Sequence, residues 1–174
     1  MKEKTHWSVT VVRILLIVLS LCLWAFIFYN ALSDGETSAQ QSHSVTVSVQ
    51  EAVGAINPNS PIATAKGESF DFLHANIRNM AHFLQYFALG ACVFGVYLSF
   101  AKKGSGRYGY IAPCLLFLTA VTDEYLQGLT AGRTSEFADV ITDCTGWICG
   151  ICIALIVFAL IQWTLVVVKR RKSR

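Results

Sequence analysis

The sequence predicts an all-α, polytopic membrane protein with four transmembrane helices and both termini in the cytoplasm, and three observations carry that expectation. The 174 residues are 54% hydrophobic and only 14% charged, with a mean hydropathy of +0.50, too apolar for an ordinary soluble domain. Four apolar runs approach or exceed the roughly 20 residues that cross a hydrocarbon core of about 30 Å. The basic residues gather on one side of such a four-span layout. The chain suits one small bundle, so a single membrane domain over residues 1–174 is expected, with spans at about 9–29, 81–101, 108–128 and 137–168 and an outer loop at 31–77.

The first run carries bulky Trp24, Phe26, Phe28 and Tyr29 where a signal peptide needs small residues before its cleavage site, so a retained helix is expected. A hydrophilic segment follows from Ser33 to Ser69, rich in Ser, Thr, Gln and Asn. Its Val45, Val47, Val49, Val53 and Ile56 fit either a short strand or an amphipathic helix lying on the membrane. Asn57, Pro58, Asn59, Ser60 and Pro61 then break it. Phe70, Phe72, Leu73 and Ile77 open a second amphipathic stretch, expected to continue into the second span as one helix.

The third run is marginal, because its uniformly apolar part stops at Asp123. Reaching the far interface takes Asp123 to Leu129 as well, which draws the carboxylates to the headgroup boundary or deeper. The fourth run is longer than a crossing needs. It can tilt, or begin near Ser135, where serine followed by Glu136 resembles a helix start.

Lys2, Lys4 and Arg13 flank the first run, Lys102, Lys103 and Arg107 separate the second from the third, and Lys169, Arg170, Arg171, Lys172 and Arg174 close the chain. The positive-inside rule puts these groups in the cytoplasm. The net charge of +3 is thus an anchoring pattern, and no basic domain accompanies the tail to make nucleic acid a partner. Trp7, Tyr29, Tyr108 and Trp163 read as interfacial residues, and His6, His43 and His74 as solvated. Of the six cysteines, Cys149 and Cys152 form a CxxC without the strand-to-helix setting of a redox site. The others read as small buried hydrophobes.

Against this background, Asp123, Glu124, Gln127, Arg133, Ser135, Asp139 and Asp143 crowd a stretch that lies partly in lipid. A charge at the bilayer centre costs about 2.5–3.5 kcal/mol, so such residues face a bundle interior and mark a site. At about 100° per residue, Arg78, His82, Gln85 and Leu89 share one stripe of the second span, with Tyr86 on its border. Thr119, Asp123 and Gln127 share a face of the third span, Glu124 lies to one side of it, and either face can point inward. Asp139, Asp143, Gly146 and Gly150 make a stripe on the fourth, where the glycines also allow close helix approach. With the basic groups inside, this polar pocket faces out.

These residues resemble the VanZ-like membrane proteins. The likeness rests on IRNMAHFLQYFALG (Ile77 to Gly90) and TDEYLQGLTAGRTSEFADVITDCTGWICG (Thr122 to Gly150), with the first-span ending FIFYNALSDGETSAQQS similar to the family's usual one. Gln85 stands where the family usually has an acid, and Asn30 and Ala31 where a serine-rich turn often occurs. The resemblance implies a multi-pass protein of the bacterial cytoplasmic membrane. The family is named for a member associated with low-level resistance to the glycopeptide teicoplanin, with no settled biochemical activity. It directs attention to Arg78, His82, Glu124, Gln127, Arg133, Asp139 and Asp143 as ligand-binding candidates.

Arg78 and Arg133 oppose Asp123, Glu124, Asp139 and Asp143, a set that cannot all ionise cheaply in low dielectric, even with His82 protonated. Either an acid is protonated or a cation completes the site. No cofactor is implied beyond a divalent cation, which would let an anionic lipid phosphate sit beside the arginines. Three readings stay open. The cluster is a structural network locking the bundle; or it binds membrane lipids, such as a lipid-linked cell-wall precursor or glycolipid; or it is a membrane-embedded enzyme using His82, Glu124 and Arg133. No HExxH, nucleophile elbow or phosphate loop supports the last.

Overall fold

The computed structural model describes residues 2–101 and 108–172, and among them every regular element is a helix. α1 runs Lys2–Ala31, α2 Gly35–Ile56, α3 Glu68–Phe100, α4 Ile111–Leu129 and α5 Phe137–Lys172. Three are long and apolar enough to cross a membrane, through Val9–Ala31, Glu68–Phe100 and Phe137–Arg171. The 19 residues of α4 rise about 28 Å, and the Asp123, Glu124 and Gln127 of its last turns set it apart from those three. The basic group Lys102, Lys103 and Arg107, and Arg174, lie outside the described residues.

The segment that fitted strand or helix is a helix, α2. Asp34 caps it, Oδ1 accepting from the Thr37 backbone N–H at 2.8 Å and Oδ2 from the Thr37 hydroxyl at 3.0 Å, which satisfies a donor that a helix start leaves open. These bonds, the backbone one foremost, hold the Asp34 carboxyl below its ordinary range. Ser38, Gln41, Ser42 and Val45 recur at helical spacing and turn one face to the bundle. Thr46 is fully buried, its hydroxyl returned to the Ser42 carbonyl at 2.8 Å. The turn into α3 is tied back by Gln50, whose amide donates to the carbonyls of Ile62 and Ala65 at 2.9 and 3.1 Å. His74, expected in solvent, stacks on Phe70 and buries Nε2 without a hydrogen-bond partner. His43 is exposed, as expected.

α3 is one continuous helix from the amphipathic stretch through the span, as its pattern required. Every other helix packs on it, α5 most extensively. The two run in the same direction, with Gly146 against Phe83 and Phe87 and Gly150 against Phe87 and Ala91, one turn further on. A Cβ at Gly146 would stand 2.5 Å from the Phe83 carbonyl oxygen, so only glycine lets the backbones come this close. Ile27, Tyr86, Leu89, Leu116, Ala120 and Val140 form the core where α1, α3, α4 and α5 meet.

α1 and α4 run opposite to α3. Leu16 lies against Gly95, and the Arg13 guanidinium donates from both Nε, at 3.2 Å, and Nη2 to the Ser99 carbonyl while lying 4.3 Å over the Phe100 ring. Outward faces carry Leu15, Phe117, Leu118, Leu160 and Trp163, all exposed. An apolar surface of this kind suits lipid rather than water.

Candidate functional site

The i, i+4 spacing of Thr119, Asp123 and Gln127 sets them on one side of α4, and packing turns that side inward, where all three are buried. Asp123 is held on both oxygens: Oδ2 accepts the Tyr86 hydroxyl of α3 at 3.0 Å and Oδ1 the Gln127 amide at 3.1 Å. Gln127 Oε1 then accepts Arg133 Nη2 at 2.6 Å, and Arg133 Nη1 donates to the Asn30 carbonyl of α1 at 2.9 Å. One chain of hydrogen bonds thus joins α3, α4, the α4–α5 loop and the end of α1.

The loop is pinned on its other side as well. Thr130 donates its hydroxyl to the Ala31 carbonyl at 3.1 Å, and the Gly35 N–H that opens α2 donates to the Ala131 carbonyl at 2.9 Å. Gly132 has φ +74°, a left-handed conformation suited to glycine, and its backbone lies so close to Gly35 that a Cβ at Gly35 would stand 2.2 Å from the Gly132 carbonyl oxygen.

Glu124, beside the Asp123 stripe, points to the start of α5. Its Oε1 accepts the Glu136 N–H at 2.5 Å, so a carboxylate caps the positive end of that helix. The cap thus comes from the preceding helix. Ser135, expected near the helix start, is exposed and α5 begins at Phe137.

Asp139 and Asp143, one turn apart on α5, meet Arg78 and His82, one turn apart on the parallel α3. Arg78 Nη2 lies 3.7 Å from Asp139 Oδ2, and His82 Nδ1 lies 3.4 Å from Asp143 Oδ1. The first pair is at the rim, with the Arg78 side chain 43% exposed. The second is deep: Asp143 is 0% exposed, and neither of its oxygens nor His82 Nδ1 makes a hydrogen bond. Ligand atoms of His82, Asp123 and Asp143 all lie within 4.8 Å of one another.

A cavity of about 360 Å³ opens over this cluster. Ile27 and Asn30 of α1, Ser38, Gln41 and Ser42 of α2, and Arg78, His82 and Gln85 of α3 form its walls, with Asp123, Gln127 and Arg133 closing it. Of the residues singled out from sequence, Arg78, His82, Gln127 and Arg133 line it. Glu124, Asp139 and Asp143 stand behind it. Asp123 belonged to the crowded polar stretch but not to the chosen set, and Tyr86 was placed on the border of its stripe. The Thr119, Asp123, Gln127 repeat was the signal that pointed to the first. For the α2 wall the signal was the FIFYNALSDGETSAQQS likeness, which reaches Ser38, Gln41 and Ser42; taken residue by residue its polar face looks like any solvated one.

Chemically, four buried carboxylates, Asp123, Glu124, Asp139 and Asp143, meet two guanidinium groups and an imidazole. Desolvated charges require partners, and the hydrogen bonds reach Asp123 and one oxygen of Glu124 but not Asp143. No curated protein and no solved structure gives a match. A family model described as VanZ/LLP1 matches residues 16–159, from within α1 to within α5 and across the whole polar cluster. By that match the chain belongs to the VanZ/LLP1 family.

Proposed function

We propose that this is a bacterial cytoplasmic-membrane protein with four spans and cytoplasmic termini, whose outward-facing pocket holds the phosphate-bearing headgroup of an envelope lipid. A lipid-linked cell-wall precursor or a glycolipid fits that description. Occupying such lipids lowers susceptibility to glycopeptides such as teicoplanin. One observation carries the reading: a cavity of mixed lining with two arginines in its wall, set in a bundle whose outer faces are apolar. Its volume of about 360 Å³ falls in the range of small-ligand sites. Arg78 is half-exposed and only loosely paired with Asp139, so its planar fork has donors free for phosphate. The apolar faces offer a path for the lipid tail.

The test is binding of a polyprenyl phosphate to the purified full chain in detergent. Wild type should bind, and Arg78→Ala should weaken binding by roughly tenfold or more, as loss of a charge-assisted bond does. Equal binding by both proteins, or none by either, would sink the reading. In cells, Arg78→Ala at normal membrane level should abolish any rise in the teicoplanin inhibitory concentration that the wild type gives.

A second reading, a membrane-embedded enzyme acting on the same headgroup, draws on the His82–Asp143 pair at 3.4 Å, which has the makeup of a general acid–base group. It requires turnover of a labelled envelope lipid that His82→Gln abolishes.

A further inference from the structure

The headgroup reading leaves Asp143 without an explanation. A fully buried carboxylate with both oxygens unbonded is costly unless something charged or hydrogen-bonding meets it. The nearby arginines do not: Arg78 faces Asp139, and Arg133 is bonded to Gln127 and Asn30. What does face Asp143 is His82, from α3, and beyond it Asp123, from α4.

We infer that His82, Asp123 and Asp143 form a divalent-metal site, open on one side to the cavity. Geometry, charge and the surroundings of the ligands all favour it. The first is geometric. Two ligand atoms about 2.1 Å from a tetrahedral centre lie roughly 3.4 Å apart, and His82 Nδ1 and Asp143 Oδ1 are separated by 3.4 Å. All three ligand atoms lie within 4.8 Å of one another, so a shift of about an ångström closes the set around an ion of that bond length. The second is charge. Two carboxylates and a neutral imidazole carry two negative charges, which one divalent cation cancels inside a region that tolerates no net charge.

The third is the surroundings of the ligands. Asp123 is fixed by the Tyr86 hydroxyl and the Gln127 amide, the kind of outer partner that orients a metal-binding carboxylate, and it retains lone pairs for a metal. One nitrogen and carboxylate oxygens suit a first-row ion such as Zn²⁺ or Mn²⁺ better than Ca²⁺, which takes six to eight oxygens. His82 and Asp123 also line the cavity, so the remaining coordination positions face whatever enters it. An open position of this kind accepts a phosphate oxygen or a water. The site goes beyond the headgroup reading and does not depend on it.

The experiment uses the untagged full chain in detergent, stripped with a chelator and dialysed against Zn²⁺ or Mn²⁺ alone, with bound metal counted by elemental analysis. About one equivalent should remain per chain, and Asp143→Asn and His82→Gln should each weaken binding by roughly tenfold or more. The metal should also raise the melting temperature of the wild type, and Asp143→Asn should abolish that rise. His43 and His74, whose ring centroids are 6.4 Å apart, are the competing ligands, and His74→Gln should leave binding intact. Co²⁺ supplies a readout of geometry, its visible absorption reporting coordination number in the folded protein. No stoichiometric metal in the wild type, or binding lost with His74→Gln but kept in Asp143→Asn, overturns the proposal. If the variants misfold, the wild type's own binding and Co²⁺ spectrum still decide it. Lipid binding that survives chelation, with no metal found, would leave the headgroup reading standing and remove this one.

Discussion

At the Arg78 end of the bundle, helices and loops are joined by side chains: Tyr86 to Asp123, Asp123 to Gln127, Gln127 to Arg133, Arg133 to Asn30, with Glu124 on the start of α5. Further along, α3 and α5 meet backbone to backbone at Gly90, Gly146 and Gly150. Toward the Ser99 end, α5 beyond Ile151 is almost wholly exposed. The difference shows two ways of holding helices together where burial of apolar surface against lipid gains little. One set of contacts uses polar bonds that have no better partner in hydrocarbon, and the other uses closeness that only missing side chains permit; at Tyr86, which bonds Asp123 and lies against Gly146, the two meet. The cavity opens beside the first of these, walled by α1, α2 and α3.

Gly146→Leu should disturb the molecule most. Its Cβ alone would stand 2.5 Å from the Phe83 carbonyl oxygen, so the helices must part, at a cost of about 3 kcal/mol or more. A steep loss of monodisperse protein and of melting temperature is expected. Gly54→Ala, whose Cβ would meet only Ala63 at 3.6 Å, should change neither. If Gly146→Leu is tolerated, the close approach is not what holds α3 to α5.

Next comes Asp123→Ala, which strands the Tyr86 hydroxyl and the Gln127 amide in the interior. Two unpaired donors should cost about 2–4 kcal/mol, read as a melting shift well beyond that of Leu118→Ala on the exposed face. Tyr86→Phe removes one hydrogen bond and keeps the ring, so about 0.5–1.5 kcal/mol is expected. Equal shifts for Asp123→Ala and Leu118→Ala would mean that the polar chain contributes no stability of its own.

Most of the helical framework was legible in the sequence, for identifiable reasons. Phe70, Phe72, Leu73 and Ile77 continue in helical register into the second span, and α3 is accordingly unbroken. α2 was not legible. Val45, Val47 and Val49 alternate as in a strand, and what decides for a helix is the Asp34 cap together with a face received by the bundle. Within the site, Arg78, His82, Gln127 and Arg133, which line the cavity, were singled out by the family resemblance together with the crowding of polar residues in and beside apolar runs. Asp123 was harder, because helical arithmetic cannot say which of two adjacent acids faces inward. That depends on where Tyr86 of another helix ends up.

The smallest expected effect is at Asp34. Its carboxyl sits below the ordinary value of 3.8 because Thr37 bonds the charged form. The folded state therefore binds this proton less readily than the unfolded chain does. The contribution to α2 is present above the ordinary value and is lost as pH falls through the lowered one. The protection of the first α2 amides against exchange, measured relative to their intrinsic rates, should fall in acid in the wild type, and Asp34→Asn, which keeps a capping oxygen, should flatten that dependence.

Arg13 and Arg78 together act as a ruler. The stretch of α3 from Arg78 to Ser99 rises about 31 Å, close to the hydrocarbon thickness of about 30 Å. The clamp of Arg13 on Ser99 and Phe100 marks one graduation and Arg78 the other, with His82 one turn, or about 6 Å, below it. Depth of immersion is therefore built into a single helix. Were the pocket to take an envelope lipid, a thicker bilayer would sink the arginine at the cavity rim beneath the plane of the lipid phosphates, and membrane thickness itself would then bear on how readily the pocket fills.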